Sequence, residues 1–167
     1  MSKKIIIIMI VLTIVLTSCS VTSVKKVDGP NDIFTKVNVG LSADADLAQN
    51  INYYIIDGSI GSVEFEYNGH KYICDATTKF DYKQLEQKRN IVSKSENYYL
   101  MTIELFSFYV YNICDNDGNN TGTVVEWKAE LSTGTYKAFY VLYSQDYIID
   151  KDNMKEMETI LRTIIGM

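Results

Sequence analysis

Val63-Glu64-Phe65-Glu66-Tyr67-Asn68-Gly69-His70-Lys71-Tyr72-Ile73-Cys74 decides the fold. Val63, Phe65 and Tyr67 alternate with Glu64 and Glu66, the period of a strand with one buried and one wet face. Asn68-Gly69 supplies two residues that accept positive φ, as a two-residue hairpin turn requires. That turn fixes the register: Tyr67 faces His70, Glu66 faces Lys71, Phe65 faces Tyr72 and Val63 faces Cys74. Apolar pairs then fall on one face and the Glu66–Lys71 pair on the other, so turn, period and pairing agree.

Upstream, Ile51 to Asp57 reads as a strand ending in the Asp57-Gly58 turn. Ile33 to Val39 is ambiguous and is taken as a short strand. Leu41 to Ala48 reads as a short helix capped by Ser42 or Asp44. Ser20 to Asn31 has no apolar period, ends in Asp28-Gly29-Pro30 and reads as a tether.

Downstream, the segment from Thr77 to Asn97 is polar and charged, a surface excursion with a helical turn at Tyr82 to Lys88. Tyr98 to Ile113 is long for one strand. It divides near Phe106-Ser107, with Met101, Ile103 and Leu105 on one face of the first half and Phe108, Val110 and Asn112 on one face of the second. A single bent strand is the competing reading. Thr123 to Leu131 alternates, with Val125, Trp127, Ala129 and Leu131 inward and Glu126, Lys128 and Glu130 outward. Thr135 to Ser144 is apolar on both sides, the mark of a central or covered strand. Met154, Met157, Ile160, Leu161, Ile164 and Ile165 form one stripe of a C-terminal helix that Asp150 or Asp152 caps and Gly166 ends. The stripe suits the core, where the sheet needs a lid; a partner-binding face is the alternative. The expected fold is α+β: a single curved antiparallel sheet of about six to eight strands, covered by the C-terminal helix.

Location is written at the start of the chain. Lys3 and Lys4 precede an apolar run from Ile5 to Leu16, interrupted by Thr13, which fits a signal-peptide core. Leu16-Thr17-Ser18-Cys19 looks like a lipobox, whose Cys is diacylated before cleavage; an ordinary cleaved signal peptide is the alternative. The expected organisation is a signal peptide over 1–18, a lipidated Cys19 with its tether over 19–31, and one β-rich domain over 32–167. Its expected place is the outer, extracytoplasmic face of the cell membrane, held by the lipid. Without Lys3 and Lys4 the chain keeps 14 Lys+Arg against 21 Asp+Glu, a net charge of −7. That acidity disfavours nucleic acid as a partner. Cys74 and Cys114 remain after the anchor, and outside the membrane they can be a disulfide or two free thiols.

Tyr53-x-Ile55-Ile56-Asp57-Gly58-x-Ile60-x-x-Val63-Glu64-Phe65-x-Tyr67-Asn68-Gly69-x-x-Tyr72, the loop at Asp117-Gly118, Val125-x-Trp127, the aromatic strand from Tyr136 to Tyr143 and the acid-capped C-terminal helix form a pattern. From about Leu41 onward the chain resembles the domain-of-unknown-function 4367 family of Gram-positive bacteria. The resemblance implies an extracytoplasmic domain of a lipoprotein or membrane protein, in some cases regulatory, and carries no site residues. The chain departs from it at Phe106-Ser107, where a glycine-type turn is expected, and in the long segment after Thr77.

The residue inventory argues against an enzyme. His70 is the only histidine and sits beside the hairpin turn; no nucleophile motif or phosphate loop is present. One His and two further Cys are too few for a metal quartet, and no cofactor is expected. Asp115-Asn116-Asp117-Gly118 invites a calcium reading. With Gly118 at the sixth position of an EF-hand loop, however, Ile113 and Val124 occupy the first and twelfth, so a hairpin loop explains the stretch. Two binding roles remain. One is a protein-interaction or sensory role at the cell envelope, using the segment after Thr77 or an exposed sheet edge. The other is a carrier of a small apolar ligand between sheet and helix, with Phe108, Trp127, Tyr136 and Tyr140 as wall residues, which otherwise are simply core.

Overall fold

The Asn68-Gly69 hairpin joins two eight-residue strands, and the eight strands among the described residues form one antiparallel sheet around it. The computed structural model describes residues 22–91, 93–130 and 133–165, with Ile165 described by its backbone alone. The strands are β1 (Val24–Val27), β2 (Gln49–Ile56), β3 (Ile60–Tyr67), β4 (His70–Thr77), β5 (Tyr99–Ile103), β6 (Phe106–Cys114), β7 (Asn120–Glu130) and β8 (Lys137–Ser144). The helices are α1 (Pro30–Val37), α2 (Tyr82–Lys88) and α3 (Met154–Ile165). The signal peptide, the lipobox, the inward Leu131 and the Gly166 stop lie outside the described residues.

The order across the sheet is β1-β2-β3-β4-β8-β7-β6-β5. The first four strands form a meander. The chain then passes through α2 to the far edge and returns as a second meander that closes against β4. β8 is therefore central and needs cover on both faces, as its two apolar sides require. Ala138, Tyr140 and Leu142 face the larger core together with Ile33 and Val37 of α1 and Met157, Ile160, Leu161 and Ile164 of α3. Val141 and Tyr143 face a smaller cluster with Leu85 of α2. We call these the inner and outer faces. Each fully buried side chain of the α3 stripe contributes about 1.5–3 kcal/mol by leaving water.

The central hairpin has the expected register, Tyr67↔His70 through Val63↔Cys74, and both turn residues have positive φ, 50° at Asn68 and 80° at Gly69. One pairing differs: Lys71 reaches Glu64, 3.3 Å away on the diagonal, while Glu66 accepts from Asn50 Nδ2 at 2.7 Å.

Four expectations are corrected. The stretch read as a tether enters the domain by Val24, because Val24–Val27 pairs with β2 as an edge strand. Gly29-Pro30 opens a helix, not a linker, since Pro at the first helical position gives up no hydrogen bond. Ile33 and Val37 are thus one helical turn apart on a buried face, where a strand was expected. Leu41 to Ala48 makes a single turn, Ala48 N–H donating to Asp44 O at 2.8 Å, and stops because Leu41 and Ala48 are both pulled into the core. The long apolar stretch does divide, but two residues early. Ile103 pairs with Phe106 around Glu104-Leu105, which puts Leu105 at a turn tip, 96% exposed, instead of inward beside Ile103.

Cys74 and Cys114 are free. Straight across the sheet from Cys74 lie Leu142, Val125 and then Val110, and Cys114 is four residues further along β6. Three strand spacings alone are about 14 Å, twice what a disulfide can span. Burial raises the pKa of the Cys74 thiol well above its ordinary value, so it is held protonated.

Candidate functional site

The wall residues read from the sequence are brought together, but mostly as core. Trp127 stacks on Tyr140 at 5.0 Å between ring centroids and meets Phe108 at 5.2 Å. Phe108 and Trp127 are buried. Tyr140 donates to Gly40 O at 3.1 Å, and Tyr136 to Asn38 O at 3.2 Å, so both phenols tie down the chain after α1. Above this floor is a groove of about 440 Å³, bounded by Phe34, Leu41, Phe106 and Ile164.

The outer face carries charged residues that sequence reasoning assigned to solvent. Asp81 and Gln84 start α2 with a reciprocal capping box. Just past the helix, Arg89 forms a two-pronged ion pair with buried Asp75 of β4, Nε to Oδ2 at 2.7 Å and Nη2 to Oδ1 at 2.9 Å, and adds Ser62 at 3.0 Å. Lys88 reaches Asp57 at 2.7 Å. Lys94 stands between two buried carboxylates, hydrogen-bonded to Glu126 of β7. It lies 2.9 Å from Glu86 Oε1 but off the line of a directed hydrogen bond, so that oxygen has charge compensation without a donor. Lys94 also sits 4.3 Å over the Tyr111 ring. Burial, and then the neighbouring Glu126 carboxylate, push the Glu86 carboxyl up to about 7 against the pull of Lys94. For Lys94, burial works downward, but Glu126 and Glu86 outweigh it and hold the ammonium charged. Glu126 was expected to point to water. The clue in the sequence was the two-sided apolarity of β8, which means the outer face of neighbouring β7 is covered too.

Beyond this cluster the outer face is open. Tyr109 and Tyr111 of β6, Phe139 of β8 and Tyr82 line a trough of about 610 Å³ with Lys128 and Lys137 at its rim. Tyr98 stands 5.4 Å from Tyr109 and 5.5 Å from Tyr111. Exposure is large for apolar side chains: 50% at Tyr98, 57% at Leu100 and 96% at Leu105. Clusters of this kind mark contact surfaces more often than isolated exposed residues do.

The patch adjoins the free edge of the sheet. With a two-residue loop, Ile103↔Phe106 must be the hydrogen-bonded closing pair. Hydrogen-bonded pairs alternate along an antiparallel ladder, so Met101 and Tyr99 also bond β6. The N–H and C=O groups of Leu100 and Thr102 therefore point away from the sheet, and none has a partner among the described residues. The loop itself is costly for its residue type, since Glu104 adopts φ 52° where Gly or Asn is usual.

The remaining sequence candidates are structural. His70 lies edge-on to Tyr147 at 5.1 Å, with Nδ1 3.8 Å from Asp146. Asp115 closes its own loop, accepting from the Asp117 and Asn119 N–H groups at 2.9 and 2.8 Å. No helix among the described residues is long and apolar enough to cross a membrane. No family model, no curated protein and no solved structure matches the chain.

Proposed function

We propose that this chain is a non-catalytic interaction module, held on the extracytoplasmic face of the cell membrane by a lipid on Cys19, and that it meets its protein partner through the β5–β6 end of the sheet. The observation that carries the contact surface is the unprotected edge β5, flanked by Tyr98, Leu100, Leu105 and Tyr109. Natural sheets blunt their edges with charge, proline or cover; Tyr99-Leu100-Met101-Thr102-Ile103 has neither charge nor proline, and no strand among the described residues covers its outer edge. The non-catalytic reading is supported by the buried carboxylates, which are engaged in ion pairs with Arg89 and Lys94. The anchor rests on Lys3-Lys4, the apolar run and Leu16-Thr17-Ser18-Cys19. β1, the first strand after the anchor, and β5 are opposite edges seven strand spacings apart, about 34 Å, so the contact end is free to face away from the lipid.

A photoreactive residue placed singly at Leu105 or Tyr98, with Phe34 and Leu47 as exposed controls on the inner side, tests this in growing cells. Covalent adducts to another envelope protein should form at the first two positions. Equal labelling at all four, or none, contradicts the reading. The groove above Trp127 and Tyr140 supports a second reading, a carrier of a small apolar ligand; native mass spectrometry distinguishes it, because a carrier retains extra mass that denaturation releases.

A further inference from the structure

We infer that the partner of the β5 edge is an extended segment of another protein that adds to the sheet as a ninth strand, with apolar residues on its outer-face side and Lys or Arg at both ends. The inference rests on the interaction reading and specifies its occupant. The outward N–H and C=O groups of Leu100 and Thr102 are left to water in the free chain, and another main chain in extended form matches their spacing and direction. The side chains the added strand would meet on the outer face, Tyr98 and Leu100, with Tyr109 behind them, are apolar and exposed. Glu96 and Glu104 bracket the edge, eight positions apart in a chain of net charge −5, and both are exposed. Among the described residues, the one cation near Glu104 is Arg162, at a long 4.0 Å. A basic residue at each end of the incoming strand complements them.

The same bracketing disfavours a second copy of this chain as the occupant. Antiparallel pairing of two β5 strands about Leu100 puts Glu96 opposite Glu104 of the partner copy. Pairing about Met101 makes those glutamates diagonal neighbours. Like charges so placed across a ladder are destabilising. Segment 93–95 narrows the window further. Lys94 bridges Ile113, with Ser95 N–H donating to Asn112 O at 2.8 Å and Cys114 N–H to Ser93 O at 3.1 Å. That segment already occupies the rest of the β6 edge, so an added strand is confined to Tyr98 and β5.

The probe is a synthetic peptide, Lys-Thr-Val-Thr-Ile-Thr-Val-Lys, titrated into the isotope-labelled full chain in detergent and followed by amide resonances. Shifts should centre on residues 98–103, with new exchange protection at Leu100 and Thr102. Methylating the alternate peptide nitrogens that would face β5 should weaken binding at least tenfold. Thr102→Pro should weaken it equally without changing the fold, because that N–H points outward and proline is tolerated there. Exchanging Glu96 and Glu104 for Lys should weaken it severalfold in low salt. Failure of the peptide to bind at millimolar concentration, equal binding of the methylated peptide, or a self-associated chain that Leu100→Lys dissociates would each overturn the inference. If crosslinks at Leu105 persist in cells carrying Thr102→Pro, the interaction reading stands and strand addition falls. If no crosslinks form in the unsubstituted chain, the interaction reading falls first.

Discussion

The two ends of the sheet are finished differently. At the β1 end the edge strand is Val24-Lys25-Lys26-Val27, with Lys26 tied to Asn52 at 2.6 Å, and the neighbouring outer face is closed by α2 and its ion pairs. At the β5 end the edge strand has no charge, the outer face is bare aromatic surface, and the turn tip shows a leucine to solvent. Both ends are four-stranded meanders in one sheet, so backbone architecture does not explain the contrast; the side chains do. Lysine on an edge repels an incoming strand, and a helix clamped over a face removes it from competition. Where neither device is present, contact with another chain is the use that the surface suits.

The contrast can be broken first at its ionic clamp. Asp75→Ala leaves the Arg89 guanidinium half-buried without its carboxylate, and should destabilise the fold by roughly 3–5 kcal/mol. A denaturant melt that moves by under about 1 kcal/mol would show that α2 is held by other means. Leu161→Ala probes the apolar closure of the inner face and should cost about 2–5 kcal/mol. Amide exchange should tell these two apart: the first loosens α2, the second α3.

A smaller effect is expected from the carboxylate pair. Glu86 titrates at about 7 in the folded chain against its ordinary 4.5. Between those values the folded state binds more protons than the unfolded one. Stability therefore falls as pH rises through this window and levels off above it. The loss should be on the order of 1–2 kcal/mol once partial exposure is allowed for. Glu86→Gln should flatten that slope and leave the variant the more stable of the two at pH 8. An unchanged slope assigns the titration elsewhere. The smallest effect belongs to the open end. Leu105→Ser and Leu100→Ser should each change stability by no more than about 0.5 kcal/mol while reducing crosslinking in cells.

Much of the first meander was legible from local signals. Asn68-Gly69 set a register that holds from Val63↔Cys74 to Tyr67↔His70, and period alone placed Trp127 and Val125 inward. The α3 stripe from Met154 to Ile164 was readable for the same reason, since period and burial agree there. The Glu104-Leu105 turn was not readable at its position, because Glu104, which takes the positive φ, is not a residue that favours it, and the surrounding apolar run hides the break. α1 was missed because Gly29-Pro30 serves equally to end a linker and to begin a helix. The cysteine question needed strand order, which is long-range: β8 and β7 insert between β4 and β6, and no local pattern says so. The Glu86–Lys94–Glu126 cluster also depends on chain crossing, since its three members come from a helix, a linker and a strand up to 40 residues apart. The open edge is a property of the assembled sheet, although the absence of charge in Tyr99-Leu100-Met101-Thr102-Ile103 could be read from the start.

The openness of β5 is tested most directly by residue-resolved hydrogen exchange on the full chain in detergent. Leu100 and Thr102 amides should exchange at nearly the rate of free peptide while Tyr99, Met101 and Ile103, bonded to β6, exchange far more slowly. Equal protection at all five would mean that the edge is already covered, and the surface proposed for the partner would not be free.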